Sequence, residues 1–302
     1  MILYTIMREI YHFILHLRLH YQLFLLSGGF LLGGLMAGTM DTYQFWMQFL
    51  NVHVLLFGGA TAFNSYWDKD DGPIGGLKNP PKMTPWMHAA SLIFMFAGWG
   101  WSLRVGWDYF AVYGVSLILF WFYSTPHARW KGDPHLSLVA IALSTGFNSV
   151  LLGAIAAGGA INSVLLLSAL GASLVLLSLY PVSQLFQIKA DIARGDHTFA
   201  GKYGTKGVTR FYVISYFGGL IMLSVSLSAQ FFYPGLALFI LGTISGVIIY
   251  RIIVSLKGTE NDYRKVMNVK LLASLSFVIF LLVSNAIYYD WITIQFLKPF
   301  YQ

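Results

Sequence analysis

Two short acidic clusters stand out as the places where this chain could do polar chemistry. The first runs Asn64-Ser65-Tyr66-Trp67-Asp68-Lys69-Asp70-Asp71, and the second Gln187-Ile188-Lys189-Ala190-Asp191-Ile192-Ala193-Arg194-Gly195-Asp196. The 302 residues include only 12 Asp and Glu, of which Asp68, Asp70, Asp71, Asp191 and Asp196 fall in these stretches, both where long apolar segments end. Carboxylates beside a membrane are costly to desolvate unless a cation or a polar cavity receives them. Facing one another, the clusters would form one divided site for Mg²⁺, a hard cation that takes oxygen ligands and commonly also holds a substrate phosphate.

The elements that must position these clusters are read from composition. The chain is 57% hydrophobic and 10% charged, with a mean hydropathy of +0.66, far from the soluble average of about 25% charged residues. It is a multispanning membrane protein. A helix needs about 20 apolar residues to cross the hydrocarbon core, and charged or Gly/Pro-rich interruptions divide the chain into nine such spans: Tyr21–Gly38, Thr42–Trp67, Pro85–Arg104, Trp107–Thr125, Leu136–Ala157, Ile161–Gln187, Phe211–Gln230, Tyr233–Leu256 and Val266–Tyr289. The first 20 residues carry Arg and His throughout and lack a small-residue cleavage site, so they do not read as a cleavable signal.

The basic residues test this division independently. With nine spans, all of the 19 Lys and Arg except Arg104 and Lys298 fall at the N-terminus or in the loops after the second, fourth, sixth and eighth spans and their flanks. By the positive-inside rule that side is cytoplasmic, with the C-terminus outside, and a bacterial inner membrane is the expected location. The net charge of +7 then describes orientation and attraction to anionic headgroups, and it argues against a nucleic-acid partner. The absence of cysteine excludes disulfides and thiolate chemistry.

Both acidic clusters land on the predicted cytoplasmic face. So does a third polar segment, Tyr123-Ser124-Thr125-Pro126-His127-Ala128-Arg129-Trp130-Lys131-Gly132-Asp133. A cavity opening there would hold an anionic head near the loops and an apolar tail between the helices. An isoprenyl diphosphate divides in that way.

Three features together resemble the UbiA superfamily of intramembrane prenyltransferases: Asn64-x-x-x-Asp68 at the end of the second span, Tyr123-Ser124-x-Pro126-x-x-Arg129-x-Lys131 after the fourth, and the Asp191 cluster followed by Gly201 after the sixth. The resemblance runs through the whole chain in order. It implies an all-α membrane protein with nine transmembrane helices in one bundle, Mg²⁺ bound through two Asp-rich motifs, and transfer of a prenyl group from its diphosphate to an aromatic or other lipophilic acceptor. It also implies cytoplasmic loops capping the site. The chain departs from the pattern at Gly72, where a further acidic residue is usual, in the five-residue spacing of Asp191 and Asp196, and in the glutamines at 184 and 187. Five residues on a helix separate two side chains by about 140°, so Asp196 must lie past a helix end at Gly195.

Allylic diphosphates react by ionising a carbon–oxygen bond, so charge growing on the leaving diphosphate must be stabilised and the carbocation kept from water. For the first task the resemblance points to Asp68, Asp71, Asp191 and Asp196 as Mg²⁺ ligands, with Asn64 either ligating or orienting a carboxylate. Lys131, Arg129 and Arg194 are the charge-assisted donors to phosphate, with Lys78, Gln184 and Gln187 further substrate contacts. For the second task, rings among Tyr66, Trp67, Tyr123 and Tyr180 could face the cation, and a nearby carboxylate could take the proton lost by an aromatic acceptor. An intramembrane terpene cyclase would use the same ionising groups without an acceptor. A carrier would instead place polar residues near the bilayer midplane, whereas the ionisable groups here gather at one face.

Two further segments invite readings. Gly72-Pro73-Ile74-Gly75-Gly76-Leu77-Lys78-Asn79-Pro80-Pro81-Lys82 lacks the Gly-Lys-Ser/Thr ending of a phosphate-binding loop and reads as a cap over the diphosphate or a turn. Residues 1–20 read as an amphipathic interfacial helix preceding a single domain of residues 21–302. In that helix Arg8, His12, His16 and His20 form the polar side, and Ile6, Ile10, Phe13 and Leu17 face lipid.

Overall fold

The computed structural model describes residues 2–69 and 72–301, and the described residues are helical apart from loops and one isolated antiparallel bridge between Ile74 and Leu77. The expected metal ligand Asp71, like Asp70, lies outside the described residues.

Helices α1 (Ile2–Leu17) and α2 (Leu19–Leu25) meet at Arg18, whose backbone is left-handed (φ 48°), and α3 (Gly28–Met36) follows. The second region contains α4 (Thr42–Leu50), a π-helical stretch (Asn51–Gly58) and α5 (Gly59–Asp68). After the loop come α6 (Pro85–Ser102) and α7 (Trp107–Ser124). Next are α8 (Leu136–Ile141), a second π-helical stretch (Ala142–Phe147) and α9 (Asn148–Ala156). Helix α10 (Ser163–Leu179) continues through a 3-10 segment (Pro181–Gln187) into α11 (Ile188–Ala193). The chain closes with α12 (Phe199–Gln230), broken at Gly204, then α13 (Phe232–Val254) and α14 (Tyr263–Tyr288).

Six helical runs among the described residues are long and apolar enough to cross a membrane: Tyr4–Met36, Leu136–Ala156, Ser163–Ala193, Phe199–Gln230, Phe232–Val254 and Glu260–Tyr288. The other three expected spans are also helical. Their apolarity is diluted by Gln44, Gln48, Asn51 and His53 in one and by Trp, Tyr and Ser in α6 and α7, so length and composition support six of the nine. The expectation for the N-terminal helix also needs correction. Ile6 and Ile10 are exposed, but Phe13 and Leu17 are buried with Ala62 and Met87. The buried His16 and the exposed His20 bond to the carbonyls of Pro81 (2.7 Å) and Gly76 (3.1 Å), and so hold a loop.

With little hydrophobic drive between helices inside a bilayer, small residues that let backbones approach become important. A Cβ on Gly33 would collide with the Val150 carbonyl, and one on Gly153 with that of Phe30, so α3 and α9 cross backbone to backbone. Helices α12 and α13 are tied by Tyr212 and Tyr216, which donate to the carbonyls of Gly246 and Gly242, each at 2.9 Å. Gly153→Val is therefore expected to destabilise the bundle by about 3 kcal/mol, the upper end for overpacking, seen as an earlier thermal unfolding transition in detergent.

Candidate active site

In the second region the π-helical stretch separates α4 from α5, and π-bulges are frequent at functional sites. Here Thr61, Asn64 and Asp68, spaced three and four apart on α5, all line one cavity of about 460 Å³. Opposite them, Gly195 (φ 80°) ends α11 and turns Asp196 back so that its amide donates to the Asp191 carbonyl at 2.9 Å. Asp191 and Asp196 both line the cavity. Between these walls, the left-handed Arg129 (φ 42°) starts a short turn, Trp130–Gly132, that presents Lys131. The Gly132 carbonyl accepts from the His197 amide (2.8 Å), and a Cβ on Gly132 would lie 2.8 Å from Asp196 Oδ1, so the two loops are clasped.

Each of these carboxylates meets a cation. Lys131 contacts Asp68 directly, Arg194 Nη2 lies 2.6 Å from Asp191 Oδ1, and Arg129 binds Asp196 through two parallel bonds of 2.7 and 2.9 Å. The Asn64 amide donates to Asp68 Oδ2 (2.7 Å), while its oxygen accepts from Ser124 (3.1 Å) and Lys131 (3.3 Å). In this arrangement Asn64 orients the carboxylate and the lysine together. Burial lowers the pKa of Lys131, while Asp196 and Asp191 oppose that effect; the direct Asp68 contact favours the ammonium form. The Tyr123 and Tyr180 hydroxyls share a hydrogen bond of 2.9 Å at the same cavity.

Of the residues expected from sequence, Asn64, Asp68, Tyr123, Lys131, Gln184, Gln187, Asp191, Arg194 and Asp196 line the cavity. Lys78 and Arg129 do not line it, and Arg129 instead stands behind Asp196. Gln184 accepts from the Ala200 amide (3.1 Å), and Gln187 donates to the Pro73 carbonyl (3.2 Å), joining the second motif to the loop that follows the first. Tyr66 and Trp67 are absent from the cavity wall. Arg18, Tyr21, Gln22, Thr61 and Lys270 line it without having been singled out. Arg18 reaches Ser65 Oγ (2.9 Å) and the Gly75 carbonyl (3.1 Å), and Lys270 Nζ sits 5.2 Å from the Tyr21 ring centroid. Thr61 could have been found from its helical spacing to Asn64, whereas Arg18 and Lys270 read in the sequence only as orientation charges.

From this polar end the cavity continues into an apolar region walled by Leu220, Leu223, Leu238, Phe277 and Phe280 of α12, α13 and α14. The loop over the polar end is held by Tyr263, whose hydroxyl donates to the Ile74 carbonyl (3.4 Å), as well as by Arg18, His20 and Gln187. The donor set of Asp68, Asp191 and Asp196 is all oxygen and suits Mg²⁺. Among the described residues no three His, Cys, Asp or Glu side chains converge on one point, so these carboxylates fit the ion by chemistry, each now neutralised by its cationic neighbour. Arg129→Gln should remove the two-bond partner of Asp196, leaving Arg194 Nε at 3.7 Å, without altering the cavity wall. About tenfold lower turnover is expected, the worth of a charge-assisted pair, measured per folded molecule.

No curated protein sequence matches the chain. Its fold is similar to that of a UbiA homolog from Archaeoglobus fulgidus bound to GPP and Mg²⁺, with a TM-score of 0.71, 13% identity, and 91% of this chain and 99% of that chain covered. The same holds for that homolog bound to DMAPP and Mg²⁺, with the same scores and coverage. A digeranylgeranylglyceryl phosphate synthase structure is similar at a TM-score of 0.60 and 16% identity, covering 92% of this chain and 99% of that one. A sequence model of the UbiA prenyltransferase family matches residues 25–275. That span contains all three polar segments, the clasped loops and the apolar walls contributed by α12 and α13, and the chain belongs to the UbiA prenyltransferase family.

Proposed function

We propose that this prenyltransferase is Mg²⁺-dependent and moves an isoprenyl group from its diphosphate to an aromatic or other lipophilic acceptor. The observation that carries this reading is the division of one cavity into a polar end with three aspartates and their cations and an apolar end between α12, α13 and α14. That the similar Archaeoglobus structures hold GPP or DMAPP with Mg²⁺ supports it. Asp68, Asp191 and Asp196 would hold the ion, with Asp71 a further candidate, and bound Mg²⁺ would supply charge to neutralise the leaving diphosphate.

The chain's own residues do the rest. Lys131 and Arg194 donate to diphosphate oxygens as negative charge grows there, which favours the transition state over the bound substrate. Asn64 and Ser124 fix the lysine's direction. The apolar wall keeps water from the carbocation, and the Tyr123–Tyr180 pair places electron-rich rings beside it. Asp191 or Asp68 takes the proton that an aromatic acceptor loses. A second polar patch of Tyr21, Gln22, Thr61 and Lys270 on the α2, α5 and α14 side of the cavity offers an acceptor room, which favours transfer over internal cyclisation. In this reading the chain has nine spans with α1 in the membrane interface beside a single domain, and the positive-inside rule supports a site on the cytoplasmic side of a bacterial inner membrane.

Purified protein in lipid with Mg²⁺ and labelled geranyl, farnesyl or geranylgeranyl diphosphate tests the reaction. Diphosphate release should require an added phenolic acceptor extract; release with a hydrocarbon product and no acceptor would identify a cyclase instead. Topology is tested separately. Reporters in the loops near Asn79, Pro134, Lys202 and Glu260 should all be cytoplasmic, and one fused after Gln302 should be outside. Opposite sides for Asn79 and Lys202 would make a shared site impossible.

A further inference from the structure

A second pocket, of about 300 Å³, lies behind the loop that covers the active cavity, between the end of α1, the end of α5 and residues 80–83. Its wall includes His16, Lys69 and Lys82, with no carboxylate among its described lining residues. His16 is only 2% exposed. Its Nε2 is engaged by the Pro81 carbonyl at 2.7 Å, which leaves Nδ1 as a buried ring nitrogen with no hydrogen-bond partner. Lys69 and Lys82 are exposed, and neither forms an ion pair with a described residue. They stand at the surface while the imidazole is sunk beneath them. Two ammonium groups that pair with no described residue, standing over a buried ring nitrogen without a hydrogen-bond partner, make a cradle for a compact anion.

We infer that this pocket binds a phosphate group, independently of the transfer reaction. The apolar residues Ile6, Met7, Ile10 and Ile14 are exposed along α1, which ends at the pocket. That face suits the headgroup level of a bilayer, where basic pockets recognise anionic lipids, so the phosphate is presented by an anionic phospholipid. Ile74 lines both the pocket and the active cavity. An occupant therefore braces the covering loop from behind.

The test uses the full chain in detergent, mixed with equal amounts of phosphatidylglycerol and phosphatidylcholine and read by native mass spectrometry. Wild type should retain phosphatidylglycerol about tenfold better, in keeping with two lysines near an anionic headgroup. Lys69→Asn with Lys82→Gln should bring the two lipids to parity; asparagine keeps the left-handed backbone at position 69 (φ 50°). The control pair Lys202→Gln and Lys206→Gln, on the first turns of α12, should leave the preference intact. Millimolar glycerol 1-phosphate forms a second arm. Binding of that ester by wild type but not by the double variant, with no lipid preference, would assign the same phosphate site to a soluble source. No preference and no ester binding, or a preference that survives the double variant, overturns the inference. His16→Phe should weaken binding too, and if it fails to fold the lysine variants still decide the matter.

Discussion

Asp68→Asn and Asp191→Asn are each expected to lower turnover by at least about 1,000-fold, close to 4 kcal/mol in the barrier, while the protein stays folded and inserted. Asparagine is the informative replacement because the structure pairs both carboxylates with partly or fully buried cations, Lys131 and Arg194. Alanine would leave those charges without a polar neighbour, a change that costs about 3–5 kcal/mol in stability and would confuse lost chemistry with lost folding. Asn64, itself held by Ser124, can still accept from Lys131 when Asp68 is amidated. Activity should disappear with a chelator and return with Mg²⁺. Near-normal turnover in either variant, with insertion verified, would end the two-motif mechanism.

Lys131→Gln is the second large effect. If its ammonium faces the departing diphosphate, turnover should fall about 30-fold to 1,000-fold, or roughly 2–4 kcal/mol, and donor affinity should weaken as well. The structure adds a complication with a readable sign. Lys131 also neutralises Asp68, so the glutamine variant leaves a carboxylate with more net charge for a cation, and the Mg²⁺ concentration giving half-maximal activity should fall while the maximal rate drops. A lysine that only anchors the loop predicts no change in either quantity per inserted molecule. Arg129→Gln is the comparison, since it meets Asp196 from outside the cavity wall.

Much of the architecture was legible because its causes are local. Long apolar runs become helices wherever backbone groups have no water to bond, and all of the predicted spans are helical, although length and composition support six of them as membrane-crossing. Gly195 marked the end of α11 for a reason visible in the sequence: Asp191 and Asp196, five positions apart, cannot share a helix face, and a left-handed glycine resolves it. The faces of α1 were less legible. Phe13 and Leu17 follow the apolar stripe that a lipid-facing helix would show, yet they pack on Ala62 and Met87; a helical stripe records that something apolar lies opposite and is silent on whether it is lipid or protein.

By itself the sequence determined that this is a helical membrane protein, because apolar runs long enough to cross a bilayer must satisfy their backbone groups internally. It also singled out Asn64, Asp68, Lys131, Asp191 and Asp196 as the candidates to handle a diphosphate, because few other polar residues stand where apolar segments end. Only the tertiary structure decided which cation meets which carboxylate. Arg129 and Lys131 are two residues apart and chemically alike as charges, but the left-handed turn at Arg129 sends one behind Asp196 and the other onto Asp68. It alone brought Arg18, Tyr21 and Lys270 to the cavity wall, since these come from α2, α14 and the break before α2, segments far apart in the chain that share a cavity only once the bundle closes.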